Sequence, residues 1–445
     1  MNKLTTEQIE IIEKSLKLKK IQEYEIYFVD QKIYETEFLK NAIESERDVR
    51  DIEYVIRILT QKGDETGIGI IKGNSLNSKE IEKNIEYCLI LSKNNKASKY
   101  IFPESKNISQ IKTADQSIIK DPINFKADIC DQIKKEIDDH KEVTPTFGRF
   151  RIHIQNKYLK NSSGLDLNSP KTFFYIEFAL KAQKNSKLSE SWEIEYIKEK
   201  EHLNIVDRVD KWARIAKDTL KAKIPKPNKQ TVVIFPPKVL KDAINPVIGF
   251  HVSGKAYYEK VTNLKLDDKV ASETFTLFDN GLLEGGLRSN SWDGEGNPHQ
   301  INEVIKDGIF KKRLYDQKFA IMGNLESTGN GIRTADGSII NSISNLEIKP
   351  GSISKDDMIS DIKEGYYIEK CSWLNPDGFS GSFGTEIRNG YYIQDGKFKY
   401  PIKGGNISGN VLDMIKNCKY ISRDCEFSLN SLFPYIAFTN LIISS

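Results

Sequence analysis

The sequence has no marked excess of either charge. Lys and Arg together number 66 and Asp and Glu number 63 among 445 residues, which gives a formal net charge of +3. A protein that binds nucleic acid usually carries a clustered positive excess. We therefore expect no nucleic-acid partner.

Cysteine is scarce, and the cysteines that occur are scattered. The chain has five, an odd number, and no two of them have Cys-x-x-Cys spacing: Cys88, Cys130, Cys371, Cys418 and Cys425. This pattern indicates neither a disulfide framework nor a cysteine zinc knuckle. A reducing compartment fits such a chain, so we predict a cytoplasmic protein.

Long hydrophobic runs are also missing. The chain opens without the apolar core of a signal peptide and enters an amphipathic helical pattern within its first few residues. The most apolar late stretch covers residues 431–443, contains Pro434, and is too short to cross a bilayer. We expect no membrane partner.

The residues that are present are typical of a globular protein with more than one domain. Hydrophobic residues make up 38% of the chain and charged residues 29%. The first half alternates helical and strand patterns, and the chain after residue 230 is mostly strand-like. Between them, residues 223–228 contain two prolines among polar neighbours, the strongest boundary signal in the chain. We predict an α+β protein, with an N-terminal α/β domain at residues 1–225 and a β-rich C-terminal domain at 231–445.

The second half also gives turn and helix signals. Strand-like runs are separated by Asp307-Gly308, Asn389-Gly390 and Asp395-Gly396, pairs that favour tight hairpin turns. Helical patterns cover residues 239–256, 355–364 and 411–415.

A series of short motifs occurs in the C-terminal half, and its order matters more than any one member. The motifs are Lys269-Val270-Ala271-Ser272, Phe278-Asp279-Asn280, Gly285-Gly286, Asp293-Gly294-Glu295-Gly296, Asp307-Gly308, Leu314-Tyr315-Asp316, Ser327-Thr328-Gly329-Asn330, Asn345-Leu346, Pro350-Gly351, Gly381-Ser382-Phe383-Gly384, Gly390-Tyr391-Tyr392-Ile393, Asp395-Gly396-Lys397, Tyr400-Pro401 and Ile407-Ser408-Gly409-Asn410. This ordered set resembles the TldD/PmbA family. A looser similarity in the N-terminal half includes the turn Asn161-Ser162-Ser163-Gly164.

The resemblance implies a function and a metal site. It implies dimeric assembly and a zinc metallopeptidase, formed by TldD and TldE (PmbA) partners, that trims peptides and degrades partly unfolded small proteins. In TldD-type chains the histidines of His-Glu-x-x-Gly-His and a cysteine near the C-terminus hold zinc. The motif's glutamate would act as the general base on the zinc-bound water.

The corresponding segment here is Asn245-Pro246-Val247-Ile248-Gly249-Phe250. Asn245 and Phe250 stand where the histidines would be, and Pro246 replaces the glutamate. Phenylalanine cannot bind a metal and proline cannot take a proton, so we predict no catalytic residue, no metal and no cofactor in this chain. The resemblance then favours a PmbA (TldE)-type subunit, with zinc expected in the partner. Locally, Asn245 is predicted to cap a helix whose first residue is Pro246.

The neighbouring residues leave some alternatives open. His251 follows Phe250 directly, and His251 and Lys255 are candidate contacts of a substrate channel. His153 alternates with apolar strand residues and is expected to face solvent. Cys418 and Cys425 both lie near the family's cysteine position. A phosphate-loop pattern runs from Gly249 to Lys255, but Ala256 stands at its magnesium-binding position and no strand directly precedes it.

We therefore predict a non-catalytic subunit that pairs with a TldD-type chain and shapes the peptide channel leading to the partner's zinc. Peptide would bind as an added strand. One alternative is a homodimer that binds peptides or serves as a scaffold without protease activity. Another is an enzyme with a rebuilt site around His251, Lys255 and Glu259.

Overall fold

A computed structural model describes residues 3–445, and these residues build two large sheets. The first sheet is drawn from residues 24–197 and the second from residues 228–444. The predicted gap between residues 225 and 231 overlaps the start of the second sheet, because the first strand of that sheet begins at Asn228. Helices and strands are segregated rather than alternating in parallel units, which confirms the α+β prediction.

Within the described residues, the first sheet has seven strands in the order β4-β3-β2-β1-β5-β6-β7, and every pairing is antiparallel. Long hairpins connect β1 to β2, β2 to β3, β5 to β6 and β6 to β7. The strands are β1 (Tyr24–Leu39), β2 (Ala42–Lys62), β3 (Glu65–Gly73), β4 (Ala97–Ser98), β5 (Val143–Asn161), β6 (Asp166–Lys184) and β7 (Lys187–Ile197).

One face of this sheet is covered by helices. Side chains alternate between the faces of a strand, so the even-numbered residues Ile26 and Phe28 of β1 point to the helical side. Phe150 and Ile152 of β5 are buried against the helices in the same way. The helices are α1 (Lys3–Leu18), α2 (Ser78–Asn94), α3 (Gln116–Lys120), α4 (Pro122–Asp138) and α5 (Ile205–Thr219), and a short 3-10 turn covers Lys200–His202.

The second sheet contains a closed ring. β8 pairs with β15 on one side and with β20 on the other, so β20, β18, β16, β15 and β8 close on themselves. The strands are β8 (Asn228–Phe235), β9 (Leu277–Asn280), β10 (Ile301–Lys306), β11 (Ile309–Phe310), β14 (Leu346–Ile348), β15 (Glu364–Cys371), β16 (Ser382–Gln394), β17 (Lys397–Ile402), β18 (Asn406–Asn410), β19 (Cys418–Ser428) and β20 (Ser431–Ser444). A separate hairpin joins β12 (Gly331–Arg333) and β13 (Ile339–Asn341).

The helices of this half are short except for one. They are α6 (Pro237–His251), α7 (Gly254–Tyr258), α8 (Gln317–Met322), α9 (Lys355–Ser360) and α10 (Val411–Lys416). The pattern over residues 239–256 therefore covers two helices, because Ser253 caps a new one by accepting a hydrogen bond from the Ala256 N–H. None of the helices in residues 3–445 combines the length and the apolar character needed to span a bilayer.

Two of the three predicted turns are confirmed. Asp307-Gly308 joins β10 to β11 and Asp395-Gly396 joins β16 to β17, and all four residues have positive φ, as this turn type requires. The third prediction is wrong, since Asn389 and Gly390 lie inside β16. Glycine serves a different purpose there: a Cβ on Gly390 would come within 2.5 Å of the Tyr367 carbonyl oxygen.

A loop from the second half packs against the helix-free face of the first sheet. Trp292, between β9 and β10, is buried among the odd-numbered residues Tyr27 and Val29 of β1 and Val55 of β2. Burial of an aromatic side chain of this size is a large contribution to docking. The two sheets are thereby held side by side, with a cleft between β7, α5 and the C-terminal half.

Candidate functional site

Helix α6 carries residues 245–250, the segment that the sequence predicts to correspond to the metal motif. It begins at Pro237, directly after β8, and runs to His251. Its apolar side chains, which include Val239, Ala243 and Val247, share one core with the ring strands. Each fully buried aliphatic side chain of this kind contributes about 1.5–3 kcal/mol, which fixes the helix against the ring.

The predicted start of this helix is wrong. Asn245 does not cap it, and Pro246 lies in its interior rather than at its first position. The Pro236-Pro237 pair supplies the start instead, because a proline at the first helical position loses no hydrogen bond. Pro246 cannot donate to the Asp242 carbonyl four residues earlier, a defect that usually kinks a helix.

The motif positions face a common cleft of about 600 Å³. Asn245, Pro246, Gly249 and Phe250 all line it, and so does Lys255 at the start of α7. We call this space the α6 cleft. Its remaining wall is formed by Ile340–Ile343, Leu374, Asn375, Leu429, Asn430, Arg288 and others. The lining therefore combines apolar surfaces and neutral amides with five charged side chains: Lys241, Asp242, Lys255, Glu259 and Arg288.

The side chains opposite Asn245 are an amide and a hydroxyl. The Asn245 Nδ2 atom lies 2.9 Å from Ser431 Oγ and 3.3 Å from Asn430 Oδ1. Asn430 is anchored in turn, because its own Nδ2 donates to the Ser344 carbonyl oxygen at 2.9 Å. The motif's first position is thus tied into the turn between β19 and β20.

Neither candidate cysteine lines this cleft. Cys418 packs against the core of the ring, and burial raises the pKa of its thiol to about 12. Cys425 lines the cleft between the two halves of the chain, and burial raises its pKa to about 11. A thiolate is the form of cysteine that binds metal, and burial disfavours it at both positions.

The residues of the α6 cleft do not fit a zinc ion. A catalytic zinc needs about three protein ligands and a bound water. The motif positions and the groups facing Asn245 offer two amides, a hydroxyl, a proline and a phenyl ring. Across residues 3–445, no three His, Cys, Asp or Glu side chains gather closely enough to hold a metal.

Both ring nitrogens of His251 form hydrogen bonds within the protein. Its Nε2 lies 2.9 Å from the Phe379 carbonyl oxygen and its Nδ1 lies 3.0 Å from Thr262 Oγ1. The ring therefore carries its proton on Nε2, and Nδ1 accepts from the threonine hydroxyl. Burial lowers its pKa. His251 does not line the α6 cleft, whereas Lys255 does. That either residue contacts substrate stays a prediction.

Two alternative chemistries are not supported by this placement. Lys255 and Glu259 both line the α6 cleft, but His251 does not, so the rebuilt catalytic group is not assembled. The phosphate-loop pattern spans the end of α6 and the start of α7 instead of a strand and a helix. A Cβ on Gly254 would come within 2.4 Å of the Tyr315 ring, which leaves no room for a phosphate.

The prediction for His153 is also wrong. It is buried and stacks on Phe173 with ring centroids 4.3 Å apart. Burial lowers its pKa to about 4, so the ring is neutral at pH 7. The β5–β6 pairing places the two residues directly opposite each other, a long-range contact that alternation along one strand does not reveal.

A second cleft of about 650 Å³ separates the two halves, and we call it the interdomain cleft. It is lined by β7, α5, the start of α6 and residues 425–429, and it shares Lys241 and Leu429 with the α6 cleft. Its cations are paired with carboxylates: Lys198 with Glu199, Arg208 with Glu195, Lys211 with Glu369, Lys238 with Glu193, and Lys241 with Asp242.

The acid-glycine motif forms a buried polar link between the halves. Asp293 accepts from the N–H groups of Glu295 and Asn297, which makes a tight turn. The Glu295 carboxylate accepts from the Tyr100 hydroxyl at 2.7 Å. Beside it, Arg333 of the C-terminal half lies 2.6 Å from Glu25 of β1. The carboxylates of this link are almost fully buried.

The fold and the motif-bearing helix define the class of protein. Residues 228–445 match the family model of the PmbA/TldA metallopeptidase C-terminal domain. The chain belongs to the TldD/PmbA family.

Particular relatives agree with this assignment. A metalloprotease of Methanocaldococcus jannaschii is 30% identical over 213 residues, which cover 47% of each chain. The metalloprotease PmbA of Escherichia coli O157:H7 is 24% identical over 295 residues, covering 65% of this chain and 63% of that protein. The chain thus spans about half to two thirds of the length of these curated relatives. The crystal structure of TldE from Thermococcus kodakarensis shares the fold, with a TM-score of 0.87 at 22% identity over 98% of this chain and 100% of that one.

Sequence reasoning missed several residues that line the α6 cleft or contact Asn245. Arg288, Asn341, Asn430 and Ser431 come from loops and strand ends far from residue 245 in the chain. The motif Asn345-Leu346 was a usable signal for one of them, because Asn345 Oδ1 accepts from the Arg288 N–H and fixes that loop.

Proposed function

We propose that this chain is a non-catalytic PmbA/TldE-like subunit of a TldD/TldE-type zinc metallopeptidase complex that processes peptides and unfolded small proteins. The observation that carries the proposal is the lining of the α6 cleft. The family's ligand and base positions are occupied by Asn245, Pro246 and Phe250, and all three face that cleft. The zinc and its general base would then come from a TldD-type partner.

The clefts are suited to an extended peptide. In the described residues β7 pairs only with β6, and residues 425–428 of β19 pair only with β20, so each has an edge that is free of sheet pairing. Both strands contribute residues to the interdomain cleft. A peptide added to such an edge is held by its backbone, which tolerates varied sequences. Lys241 and Leu429 line both clefts, so the interdomain cleft adjoins the α6 cleft at these two residues.

The proposed location is the cytoplasm. All five cysteines are free in the described chain, as is usual in a reducing compartment.

Co-purification with a TldD-type chain tests the proposal. The chain would be mixed with a partner that has an intact His-Glu-x-x-Gly-His motif, and the complex analysed for mass, zinc and hydrolysis of an unstructured peptide. We expect one zinc per heterodimer and hydrolysis by the complex. Substitution of the partner's motif glutamate should abolish hydrolysis, whereas Asn245→Ala in this chain should leave the zinc content unchanged.

The same experiment separates the rival functions. A stable homodimer that binds peptide and ignores the TldD-type chain would favour the peptide-binding scaffold. Hydrolysis by this chain alone would favour a rebuilt enzyme. Either result would contradict the proposal.

A further inference from the structure

Arg288 stands out among the charged residues of the α6 cleft. Its backbone N–H donates to Asn345 Oδ1 at 2.9 Å, and its Nη1 donates to the Ile343 carbonyl oxygen at 3.1 Å. These contacts hold the side chain in place while it remains exposed in the cleft. Throughout the described chain, no carboxylate lies within 4.0 Å of its guanidinium group.

Among the other charges of the α6 cleft, one cation is paired with a carboxylate. Lys241 lies 2.6 Å from Asp242. Glu259 follows Lys255 by four residues, but the two side chains form no ion pair within 4.0 Å in the described chain. Arg288 and Lys255 are therefore the cations of this cleft that form no ion pair in the described chain, and the charge of the buried Asp279 acts on the Arg288 guanidinium. The interdomain cleft offers nothing similar, because its lysines and Arg208 are paired with carboxylates.

A second, independent feature of the same cleft also lacks a partner. Asn341 lines the cleft and is only 8% exposed. Its Oδ1 accepts from the Lys255 N–H at 3.1 Å, but its Nδ2 has no acceptor anywhere in residues 3–445. A buried donor without an acceptor is unfavourable. The Nδ2 atom is shielded in this structure, so a ligand oxygen would satisfy it once the Asn341 side chain turned toward the cleft.

We propose that the α6 cleft binds a peptide carboxylate, with the Arg288 guanidinium as its principal contact. Arginine presents a planar set of donors that matches a carboxylate, and such charge-assisted bonds are about twice as strong as neutral ones. The carboxylate is either the C-terminus of the peptide or the side chain of an Asp or Glu. This inference rests on the proposed peptide function and specifies the class of peptide preferred.

The surroundings strengthen the interaction. Phe250, Ile343 and Leu374 line the cleft beside Arg288. Nearby protein lowers the pKa of the Arg288 guanidinium although the side chain is still exposed. A carboxylate that entered the cleft would displace further water, and the attraction between opposite charges grows as water is removed.

Calorimetric titration of the full chain with matched peptides tests the inference. Three synthetic peptides share one neutral, extended sequence: one has a free C-terminal carboxylate, one is amidated, and one is amidated but contains a single internal Glu. We expect at least one carboxylate peptide to bind about tenfold or more tightly than the neutral amide. Tighter binding of the free acid identifies the C-terminus as the source, and tighter binding of the Glu peptide identifies the side chain.

Variants assign the effect to Arg288. Arg288→Gln should remove the preference and leave the affinity for the neutral amide unchanged. Arg288→Lys should retain part of the preference, because it keeps the charge without the planar donors. Arg388→Gln is the matched control, since Arg388 is another exposed arginine of the C-terminal half and lies outside both clefts. Circular dichroism of each variant confirms folding.

The possible outcomes are distinct. Equal affinity for all three peptides, or the same preference in Arg288→Gln as in the original chain, would overturn this inference and leave the proposed peptide function standing. Binding of no peptide, by the chain alone or in complex with a TldD-type partner, would overturn both.

Discussion

The side-chain amide of Asn245 lies 2.9 Å from the hydroxyl oxygen of Ser431 and links the middle of α6 to the first residue of β20. This contact identifies the groups that would surround a metal at the motif's first position. They are Ser431 and Asn430, not Cys418 or Cys425. The lack of a cysteine opposite Asn245 therefore counts against a zinc site as much as the lack of the two histidines.

The first prediction concerns repair of the motif. A triple variant with Asn245→His, Pro246→Glu and Phe250→His should bind zinc loosely at most and should hydrolyse no peptide. Residues five apart on a regular helix lie about 140° apart around its axis, and two histidines leave the site short of a third ligand. Competition with a chelator of known affinity measures the binding.

A fourth substitution makes this test sharper. Adding Ser431→Cys to the triple variant should tighten zinc binding by about tenfold or more, because it supplies a thiolate opposite residue 245. Adding Cys425→Ser instead should change nothing, since Cys425 lines the other cleft. If the triple variant binds zinc tightly and loses it with Cys418→Ser or Cys425→Ser, a native cysteine is already placed as a ligand.

The second prediction concerns the buried ion pair between the two halves. Glu25→Gln should lower the free energy of unfolding by about 3–5 kcal/mol, because it leaves Arg333 and Arg57 without their shared carboxylate in the interior. Denaturant unfolding provides the measurement. Glu273→Gln, which disrupts an exposed pair with Lys269, is the control and should leave the midpoint unchanged. Equal effects would contradict a special role for the buried pair.

The third prediction is a pH dependence. Burial and the nearby Glu295 raise the pKa of Asp316 from 3.8 to about 7. A carboxyl whose pKa is raised on folding stabilises the fold below its unfolded pKa, and this contribution is lost as pH rises through the folded value. Asp316→Asn stays neutral and preserves a cap for α8, where Asp316 accepts from the Phe319 N–H.

The comparison is made between variant and original chain at each pH. The unfolding temperature of Asp316→Asn minus that of the original chain should increase from pH 5 to pH 8. Burial lowers the pKa of His153 to about 4 and that of His299 to about 3, so both histidines contribute less to stability as pH falls. Their contribution is the same in both proteins and therefore cancels in the difference between the two unfolding temperatures. A difference that is constant with pH would contradict the raised pKa.

The fourth prediction concerns Gly294 of the acid-glycine motif. A Cβ on Gly294 would lie 2.7 Å from both the Arg333 backbone nitrogen and the Gly331 carbonyl oxygen. Gly294→Ala should therefore lower the free energy of unfolding by about 1–3 kcal/mol through overpacking. Gly384→Ala is a suitable control, because the nearest atom to its Cβ is 3.9 Å away. Comparable losses in both variants would show that packing at Gly294 is not the cause.

The fold class could be predicted from the sequence, and the ordered motifs could be recognised in it, because both depend on local patterns. Sequence reasoning placed Asp307-Gly308 correctly, since positive φ at both residues is a property of the turn itself. It placed Asn389-Gly390 wrongly because the decisive contact, with the Tyr367 carbonyl, comes from another strand. The same limit applies to Asn245, whose side-chain partner, Ser431, is 186 residues away.

The central claim is that this chain supplies neither the zinc nor the catalytic base of the metallopeptidase. Elemental analysis of the purified chain, together with a peptide-hydrolysis assay before and after chelation, tests it most directly. The account predicts no stoichiometric zinc and no hydrolysis without a TldD-type partner. About one zinc per chain, removed by chelator with loss of hydrolytic activity, would contradict it.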